Sequence, residues 1–477
     1  MIKKYLYLLL ALPLVALSFQ SCIKDESYGP SGNSSKLSLA QDLQDKYTLN
    51  RWDTLKISPN VVQTNGQKKV DYEWEVNGKV VSTDASLKYV CKDFGSFPCR
   101  LKVSNGDNIQ YYEFGLNVQY SYVDGLYILA SNSGKTIVSY LPEEGSTKTF
   151  DLDVLQKNNP SIDFTGEPKG IDYALARDNK TPLLFVAVGN PSTIYEFDGN
   201  LMNMRFTTNS TGDVTYLRKS ALTYPKSMLT MVNHVPNRLT LSETTPFNLG
   251  KSIKDALGSD ISLADAATAW KQDLRYVQGY VMFDNAEGRL VAQKVQATGK
   301  VPVELLKGKF MGETLVGMGP VDNERNIVLL TWNATSSKFN CYYIFPGFYP
   351  STATKVEAAV VKDEAVVPAT AGLTTQSVVR VSAEKNLVYY SAGNKLYAYN
   401  VLSGGNFPQS ALTTFGDASE TIADMLILEG SNKLYVATNA ASGQLVGSIY
   451  CFDMNENKLL WAKKNITGRI KSITYRQ

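Results

Sequence analysis

Short apolar stretches and polar turns alternate along most of this chain. Continuous apolar stretches such as "GLYILAS", "LLFVAVG", "NIVLLTW" and "KLYVATN" are too short for typical helices, and turn residues bound them. Other segments, such as "YEWEV", alternate between apolar and polar positions. Both patterns are typical of β-strands, the first of buried strands and the second of half-buried ones. The sequence therefore predicts an all-β protein.

A recurring motif follows the apolar stretches in the larger part of the chain. It reads aliphatic, Tyr, any residue, aromatic, then Asp or Asn, as in "TIYEFD" (193–198), "KLYAYN" (395–400) and "SIYCFD" (448–453). With weaker copies it recurs about every 45 to 58 residues, close to the repeat of a propeller blade. We therefore predict that residues 120–477 form a β-propeller of about seven four-stranded blades. Six or eight blades, or two unrelated sandwiches, are the alternatives.

One segment of this region has the pattern of a helix. "SLADAATAWKQDL" (262–274) begins with Ser, followed three residues later by an acid, which indicates a capped helix start. We predict a short helical insertion near residues 252–274. The apolar positions at helical spacing are Leu263, Ala266, Ala267 and Trp270.

Residues 38–119 read as a small β-sandwich. A strand carries Trp74 as its expected core residue and ends in an Asn77-Gly78 turn, a strong hairpin signal. Several short strands with an early tryptophan suggest an immunoglobulin-like fold. Three segments also resemble the PKD domain, although the acidic, glycine-rich loop after the tryptophan is missing. These segments are "YEW" (72–74), "FGSF" (94–97) and "LKVSN" (101–105).

The cysteines of this domain leave two alternatives open. Cys91 and Cys99 flank the turn-like segment "KDFGSFP" between two strand patterns. A hairpin disulfide would suit an oxidising compartment, whereas two buried thiols would pack as small apolar residues.

The N-terminus has the layout of an export signal. Positive charge near Met1, an uncharged apolar segment over 5–19 and small residues before Cys22 predict a lipoprotein signal peptide over 1–21. Cleavage would leave Cys22 as a lipidated N-terminus, and its acyl chains would anchor the chain in a membrane. An ordinary cleaved signal with an unmodified cysteine is the alternative.

The residues after Cys22 carry a second signal. Lys24, Asp25 and Glu26 resemble the export signal of Bacteroidota surface lipoproteins, and residues 22–37 read as a flexible tether. This resemblance implies a lipid-anchored protein on the outer face of the outer membrane. A solvated, charged tether is the alternative interpretation.

The net charge, the metal-binding residue types and the catalytic motifs limit the classes of function that the sequence supports. The 477 residues include 48 Lys and Arg against 45 Asp and Glu, a net charge of +3, which does not indicate a nucleic-acid partner. His234 is the one histidine, and the cysteines lack metal-ligand spacing, so we predict no metal and no cofactor. No catalytic motif occurs, and we expect a protein that is not an enzyme. A glycosidase or lyase that uses paired carboxylates is the alternative.

Two segments with many aromatic residues read as loops that could line a binding mouth. They span 209–225 and 345–350. Aromatic side chains in such loops can stack on sugars or hold peptides. The candidate ligand contacts are Tyr216, Tyr224, Phe345, Phe348 and Tyr349.

The anchor, the tether, the PKD-like domain and the repetitive β-body together resemble the PKD-like family lipoproteins of Bacteroidota. That resemblance implies an accessory of a TonB-dependent outer-membrane transporter and its SusD-like lipoprotein. Such a protein would capture a glycan or oligopeptide without cleaving it. A surface adhesin is a further alternative.

Overall fold

The structure, a computed structural model, describes residues 34–146, 148–219, 227–247, 249, 261–271, 277–294, 303–347 and 358–476. The chain divides into two units, the first ending at Gln119 and the second beginning at Tyr120. In the described ranges, no helix is both long enough and apolar enough to cross a membrane. Cys22, Lys24, Asp25 and Glu26 lie outside the described residues.

The first unit is a β-sandwich of one large sheet and two small ones. The large sheet has the order β2-β9-β8-β5-β6, in which β2 runs parallel to β9, and β1 pairs with β4 and β3 with β7. The strands are β1 (Leu37–Leu39), β2 (Lys46–Asn50), β3 (Thr54–Ile57), β4 (Val61–Gln63), β5 (Asp71–Val76), β6 (Lys79–Ser82), β7 (Leu87–Val90), β8 (Gly95–Ser104) and β9 (Ile109–Gln119).

The core of the first unit forms around Trp74. Its ring is fully buried, packs edge-on against Phe114, and donates from Nε1 to the carbonyl oxygen of Asp84 at 2.9 Å. Asn77 and Gly78 form the two-residue turn between β5 and β6 with φ values of 49° and 72°. Positive φ at both positions favours the Asn-Gly pair, because these two residues tolerate the left-handed region best. The predicted core residue and hairpin are confirmed.

The second unit is built from strands of similar length that follow one another closely. Its helical elements are α1 (Val154–Asn158) and 3₁₀ turns at Ala369–Ala371, Val401–Ser403 and Glu429–Ser431. The strands are β10 (Gly125–Asn132), β11 (Lys135–Pro142), β12 (Pro168–Leu175), β13 (Pro182–Val188), β14 (Thr193–Asp198), β15 (Met204–Asn209), β16 (Val214–Lys219), β17 (Ser227–Val232), β18 (Val235–Thr240), β19 (Leu263–Lys271), β20 (Val277–Asp284), β21 (Arg289–Lys294), β22 (Val303–Leu305), β23 (Glu313–Val321), β24 (Asn326–Asn333), β25 (Lys338–Phe345), β26 (Val360–Val367), β27 (Val379–Ser382), β28 (Leu387–Ala392), β29 (Lys395–Asn400), β30 (Thr413–Thr414), β31 (Thr421–Leu428), β32 (Lys433–Asn439), β33 (Gly447–Asp453), β34 (Lys458–Thr467) and β35 (Arg469–Arg476).

Within the described ranges these strands form seven antiparallel sheets, numbered here as blades. Blade 1 is β35-β10-β11, blade 2 is β12 to β15, blade 3 is β16 to β18 and blade 4 is β19 to β22. Blades 5, 6 and 7 are β23 to β26, β27 to β30 and β31 to β34. The innermost strands contact one another in the order β12, β16, β19, β23, β27, β31 and β35, and β35 contacts β12 again. The predicted β-propeller is confirmed.

The ring closes through strands from opposite ends of the unit. β35 pairs with β10 in antiparallel register, with Leu126 opposite Tyr475. The C-terminal strand therefore completes the blade that the first two strands of the unit begin.

The sequence repeat corresponds to the middle of each blade. The apolar stretches form second strands such as β10, β13, β24 and β32, and the Tyr-containing motif forms third strands such as β14, β29 and β33. The acid that ends the motif holds the next turn: Asp198 Oδ1 accepts from the amides of Asn200 and Leu201 at 2.8 and 2.9 Å. Asp453 Oδ1 makes the same pair of bonds in blade 7. Such side-chain bonds explain why Asp recurs at this position.

The helix predicted near 252–274 is wrong where the structure describes it, because Leu263–Lys271 is the innermost strand β19 of blade 4. Neighbouring innermost strands pack closely against one another: a Cβ on Gly170 of β12 would lie 2.8 Å from Leu217 of β16. A Cβ on Gly317 would likewise collide with Val379. Three alanines of β19, Ala266, Ala267 and Ala269, line the central cavity described below.

Blades 5 and 7 share a buried polar motif. Glu313 accepts hydrogen bonds from Thr331, from Asn340 at 2.9 Å and from Tyr342 at 2.8 Å. Glu420 accepts from Thr438 and from Tyr450 at 3.2 Å. In both blades the glutamate precedes its threonine by 18 residues. The motif connects the first, second and third strands of its blade inside the core.

Candidate functional site

The candidate site is a cavity in the central channel of the propeller. It has a volume of about 640 Å³, and residues from all seven innermost strands line it. Gly317, Gly319 and the alanines of β19 give much of its wall a small, apolar surface. The charged groups come from one or two positions on each of β12, β16, β19, β27, β31 and β35, and hydrogen bonds fix several of these side chains.

Arg218 reaches across this channel. It lies on β16 of blade 3, and its guanidinium donates to Ser472 Oγ at 2.9 Å and to the carbonyl oxygen of Ile473 at 3.3 Å, both in blade 1. One of its nitrogens also lies 3.3 Å from Asp424 Oδ2 in blade 7. Arg218 thereby links blade 3 to blades 1 and 7 on the channel side of the ring.

Asp424 is the shared acceptor of the network. Its carboxylate is almost fully buried, and Oδ2 accepts from Ser472 Oγ at 2.8 Å and from the amide of Ile473 at 2.9 Å. Arg380 of blade 6 donates to Oδ1, and its Nε donates to the carbonyl oxygen of Met425 at 2.8 Å. Two guanidinium groups therefore share one carboxylate.

The electrostatics of this cluster follow from its geometry. Burial by itself raises the pKa of Asp424, but Arg380 and Arg218 outweigh burial, so the pKa lies below its ordinary value. Burial would lower the pKa of Arg218, whereas Asp424 and Asp172 raise it to a net increase. The carboxylate of Asp424 and the guanidinium of Arg218 thus stay ionised at neutral pH, and Asp424 is unsuited to act as a general acid.

The charged groups differ in their access to the cavity. Arg218 and Arg380 keep 24% and 35% of their side chains exposed, whereas Asp424 keeps 3%. Asp172 is also buried and accepts from Thr474 Oγ1 at 2.5 Å. Lys471 lines the same cavity and is exposed. Arg218, Arg380 and Lys471 are therefore accessible from the cavity, whereas the carboxylates of Asp172 and Asp424 are buried.

Two further charged groups at the cavity have partners outside it. Lys169 lies 3.1 Å from Asp213 and 3.2 Å from Glu167. Asp265 lies 2.9 Å from Nδ1 of His234. The histidine singled out in the sequence is thus an exposed turn residue beside the cavity.

Of the five predicted ligand contacts, the structure describes two, and one of these lines the cavity. Tyr216 lines the channel, but it lies on the innermost strand β16, so the prediction of one continuous loop over 209–225 is wrong. Phe345 ends β25, the third strand of blade 5, and is not among the residues that line the cavity. Its ring lies 5.5 Å from Lys362 Nζ. Tyr224, Phe348 and Tyr349 lie outside the described residues.

The hydrogen-bond network of Arg218, Arg380 and Asp424 was not predicted from the sequence. A signal was present, since Arg218, Arg380 and Asp424 each interrupt a short apolar strand pattern, in "TYLRK", "VVRVS" and "IADML". A charge inside such a pattern is uncommon, because unpaired charges are costly to bury. The three strands are far apart in sequence, so the pattern alone does not reveal that the charges meet.

The first unit has a more open hollow of about 690 Å³. Arg100 and Glu75, which line it, form an ion pair at 2.7 Å. Cys99 also lines it, and both Cys99 and Cys91 are buried free thiols in the structure, which is the second of the two predicted alternatives. Burial raises the pKa of Cys99 to about 11, so its reactive thiolate is scarce at neutral pH.

No group of three or more His, Cys, Asp or Glu side chains in the described ranges is arranged to hold a metal ion.

Comparisons with known proteins support both parts of the fold. The family of PKD-like domains matches residues 36–105. Among solved structures, a quinoprotein alcohol dehydrogenase-like protein from Bacteroides thetaiotaomicron is 14% identical, with a TM-score of 0.50 over 92% of this chain and 99% of its own. At this identity the similarity concerns the fold alone.

Two further solved structures are more distant. A putative 6-phosphogluconolactonase from Bacteroides uniformis is 11% identical, with a TM-score of 0.45 over 74% of this chain and 99% of its own. A β-propeller domain from Myceliophteria thermophila is 10% identical, with a TM-score of 0.38 over 65% of this chain and 90% of its own. Curated protein sequences include no match to this chain.

Proposed function

We propose that this chain is a non-catalytic, lipid-anchored surface protein that binds a nutrient, a glycan or an oligopeptide, in the channel of its propeller. It would serve a TonB-dependent transporter and a SusD-like lipoprotein at the outer membrane. The observation that carries the binding role is the channel cavity, which seven innermost strands line and in which hydrogen bonds fix the guanidinium groups of Arg218 and Arg380. Small-molecule sites are typically concave, with a few polar groups placed in advance.

The address rests on the sequence around Cys22. An apolar segment that ends in small residues before a cysteine supports lipidation, and the adjacent Lys24, Asp25 and Glu26 support export to the cell surface. The PKD-like domain would then separate the propeller from the membrane.

The address can be tested in cells that express the full chain. Radiolabelled palmitate should label the wild type, and Cys22→Ala should abolish labelling. Replacing Lys24, Asp25 and Glu26 together by alanine should preserve labelling but protect the protein from protease added to intact cells. If protease reached the wild type only in broken cells, surface exposure would be excluded.

The partners are tested by mild detergent extraction. The wild type should co-purify with an outer-membrane transporter and its SusD-like lipoprotein, whereas Cys22→Ala should lose both. Turnover of a polysaccharide or peptide by the purified protein, abolished by one Asp or Glu substitution, would favour the enzyme alternative.

A further inference from the structure

We propose that the channel binds a carboxylate group of its ligand at the guanidinium groups of Arg380 and Arg218. This inference deepens the proposed function and rests on it. Its basis is the arrangement of charge in the cavity, where cationic side chains are accessible and two carboxylates are recessed.

Arg380 supplies the most accessible donors. A guanidinium group has five N–H donors. The described contacts of Arg380 engage its Nε with Met425, one terminal nitrogen with Val379 and the other with Asp424. Each terminal nitrogen carries a second hydrogen, and about a third of the side chain is exposed. These bonds fix the plane of the group without using all of its donors.

The neighbouring charges favour an anion at this position. Asp424 neutralises one of the two guanidinium groups, and Asp172 contributes to the field at Arg218. Asp424 and Asp172 are buried, however, and the exposed Lys471 adds a further positive charge at the cavity. Asp265 is the accessible carboxylate of the same lining, and its Oδ1 lies 2.9 Å from Nδ1 of His234. A planar guanidinium held in place recognises a planar carboxylate through two parallel hydrogen bonds.

The shared chemistry, a carboxylate on a small ligand, could come from an acidic oligosaccharide or from the C-terminus of a peptide. Calorimetric titration of the full chain distinguishes these sources. One arm compares trigalacturonate with a neutral trisaccharide, and the other compares an N-acetylated tripeptide with its C-terminal amide. We expect one carboxylate ligand to bind at least about 10-fold more tightly than its neutral counterpart, as for the loss of one charged hydrogen bond.

Substitutions then locate the site. Arg380→Gln should weaken binding about 10-fold or more, and Lys471→Gln about threefold. Arg177→Gln, at an exposed arginine in the turn after β12, is the matched control and should leave affinity unchanged. Circular dichroism and melting curves check the fold, and Lys471→Gln decides the matter if Arg380→Gln does not fold.

Four results would overturn the assignment. The first three are no binding of either carboxylate ligand, equal binding of the neutral counterparts, and unchanged affinity in folded Arg380→Gln and Lys471→Gln. The fourth is stronger competition by inorganic phosphate than by acetate. If a neutral ligand still binds after these substitutions, carboxylate recognition is wrong but nutrient binding is not. The cell-surface tests above address the proposed function independently of carboxylate recognition.

Discussion

Blades 2, 5 and 7 each bury a glutamate, but they differ in the hydrogen-bond donors that they supply to its carboxylate. Glu313 and Glu420 accept hydrogen bonds from Thr and Tyr side chains on neighbouring strands. Glu196 of β14 is fully buried, yet neither of its carboxylate oxygens has a hydrogen-bond partner in the described residues. Arg205 approaches Oε1 at 3.4 Å without hydrogen-bond geometry. Burial alone therefore does not decide the state of a carboxyl group.

The consequence appears in the proton affinity of Glu196. Burial raises its pKa to about 7, and Arg205 offsets only part of that rise. Glu313 and Glu420 thus serve as acceptors that link strands, whereas Glu196 is buried without a hydrogen-bond donor among the described residues and its pKa is raised.

The largest expected effect is the loss of a satisfied glutamate. Glu420→Ala leaves the hydroxyl groups of Thr438 and Tyr450 without their acceptor and opens a space in blade 7. We expect the free energy of unfolding to fall by about 3 kcal/mol or more. Urea titration measures it, with Glu456→Ala, at an exposed turn, as the control. A loss as small as that of the control would show that the motif does not stabilise the blade.

The second effect depends on pH. The folded-state pKa of Glu196 is raised from 4.5 to about 7, so between these values the folded protein holds a proton that the unfolded chain has released. Stability from this group is therefore present at low pH and is lost as pH rises through about 7.

Glu196→Gln should remove that dependence. The difference in unfolding free energy between pH 5 and pH 8 should shrink by on the order of 3 kcal/mol, at about 1.4 kcal/mol per pKa unit. Urea titrations of the variant and of Glu456→Gln at both pH values make the comparison. An unchanged difference would mean that Glu196 has an ordinary pKa.

A smaller effect isolates one bond of the satisfied motif. Tyr450→Phe removes the hydroxyl that donates to Glu420 while retaining the buried ring. We expect a loss of about 1 kcal/mol, because Thr438 still donates to the carboxylate. Tyr111→Phe, at a tyrosine that is 52% exposed, is the matched control in urea titration. Equal free energies of unfolding for the two variants would argue against a stabilising hydrogen bond from Tyr450.

The smallest effect concerns the first unit, where the buried groups are thiols. Because Cys91 and Cys99 are free in the structure, a reducing agent should leave the melting temperature unchanged within about 1 °C. Intact mass after alkylation under denaturing conditions counts the free thiols directly. A melting temperature that falls on reduction, together with two unmodified cysteines, would identify a disulfide.

Local patterns made much of the fold predictable. The second and third strands of the blades could be read from their sequence because the apolar stretch, the Tyr motif and the Asp turn lie within one hairpin. Trp74 and the Asn77-Gly78 turn are equally local. The innermost strand β19 was mistaken for a helix because its alanines and the Ser-x-x-Asp start match a helical pattern locally. Its pairing with β20 and its contact with β23 depend on segments outside that pattern.

The channel network was beyond local reading for the same reason. Arg218 of blade 3 and Asp424 of blade 7 are 206 residues apart, and the closed ring brings them together. The pattern could mark each charge as unusual for its strand, but only the closed ring identifies its partner. Tyr216 was predicted as a ligand contact in a loop; it lines the cavity from an innermost strand, and its contact with a ligand stays a prediction.

The pairing of β35 with β10 sets the order in which this protein can mature. Blade 1 lacks its innermost strand until residues 469–476 have left the ribosome, so the ring cannot be sealed during synthesis of the preceding chain. Until then β10 has an open edge, which is a hazard for pairing with other chains. A chain truncated before Arg469 would remain open at this seam, and we expect such a product to be cleared by proteases rather than to accumulate as a smaller propeller.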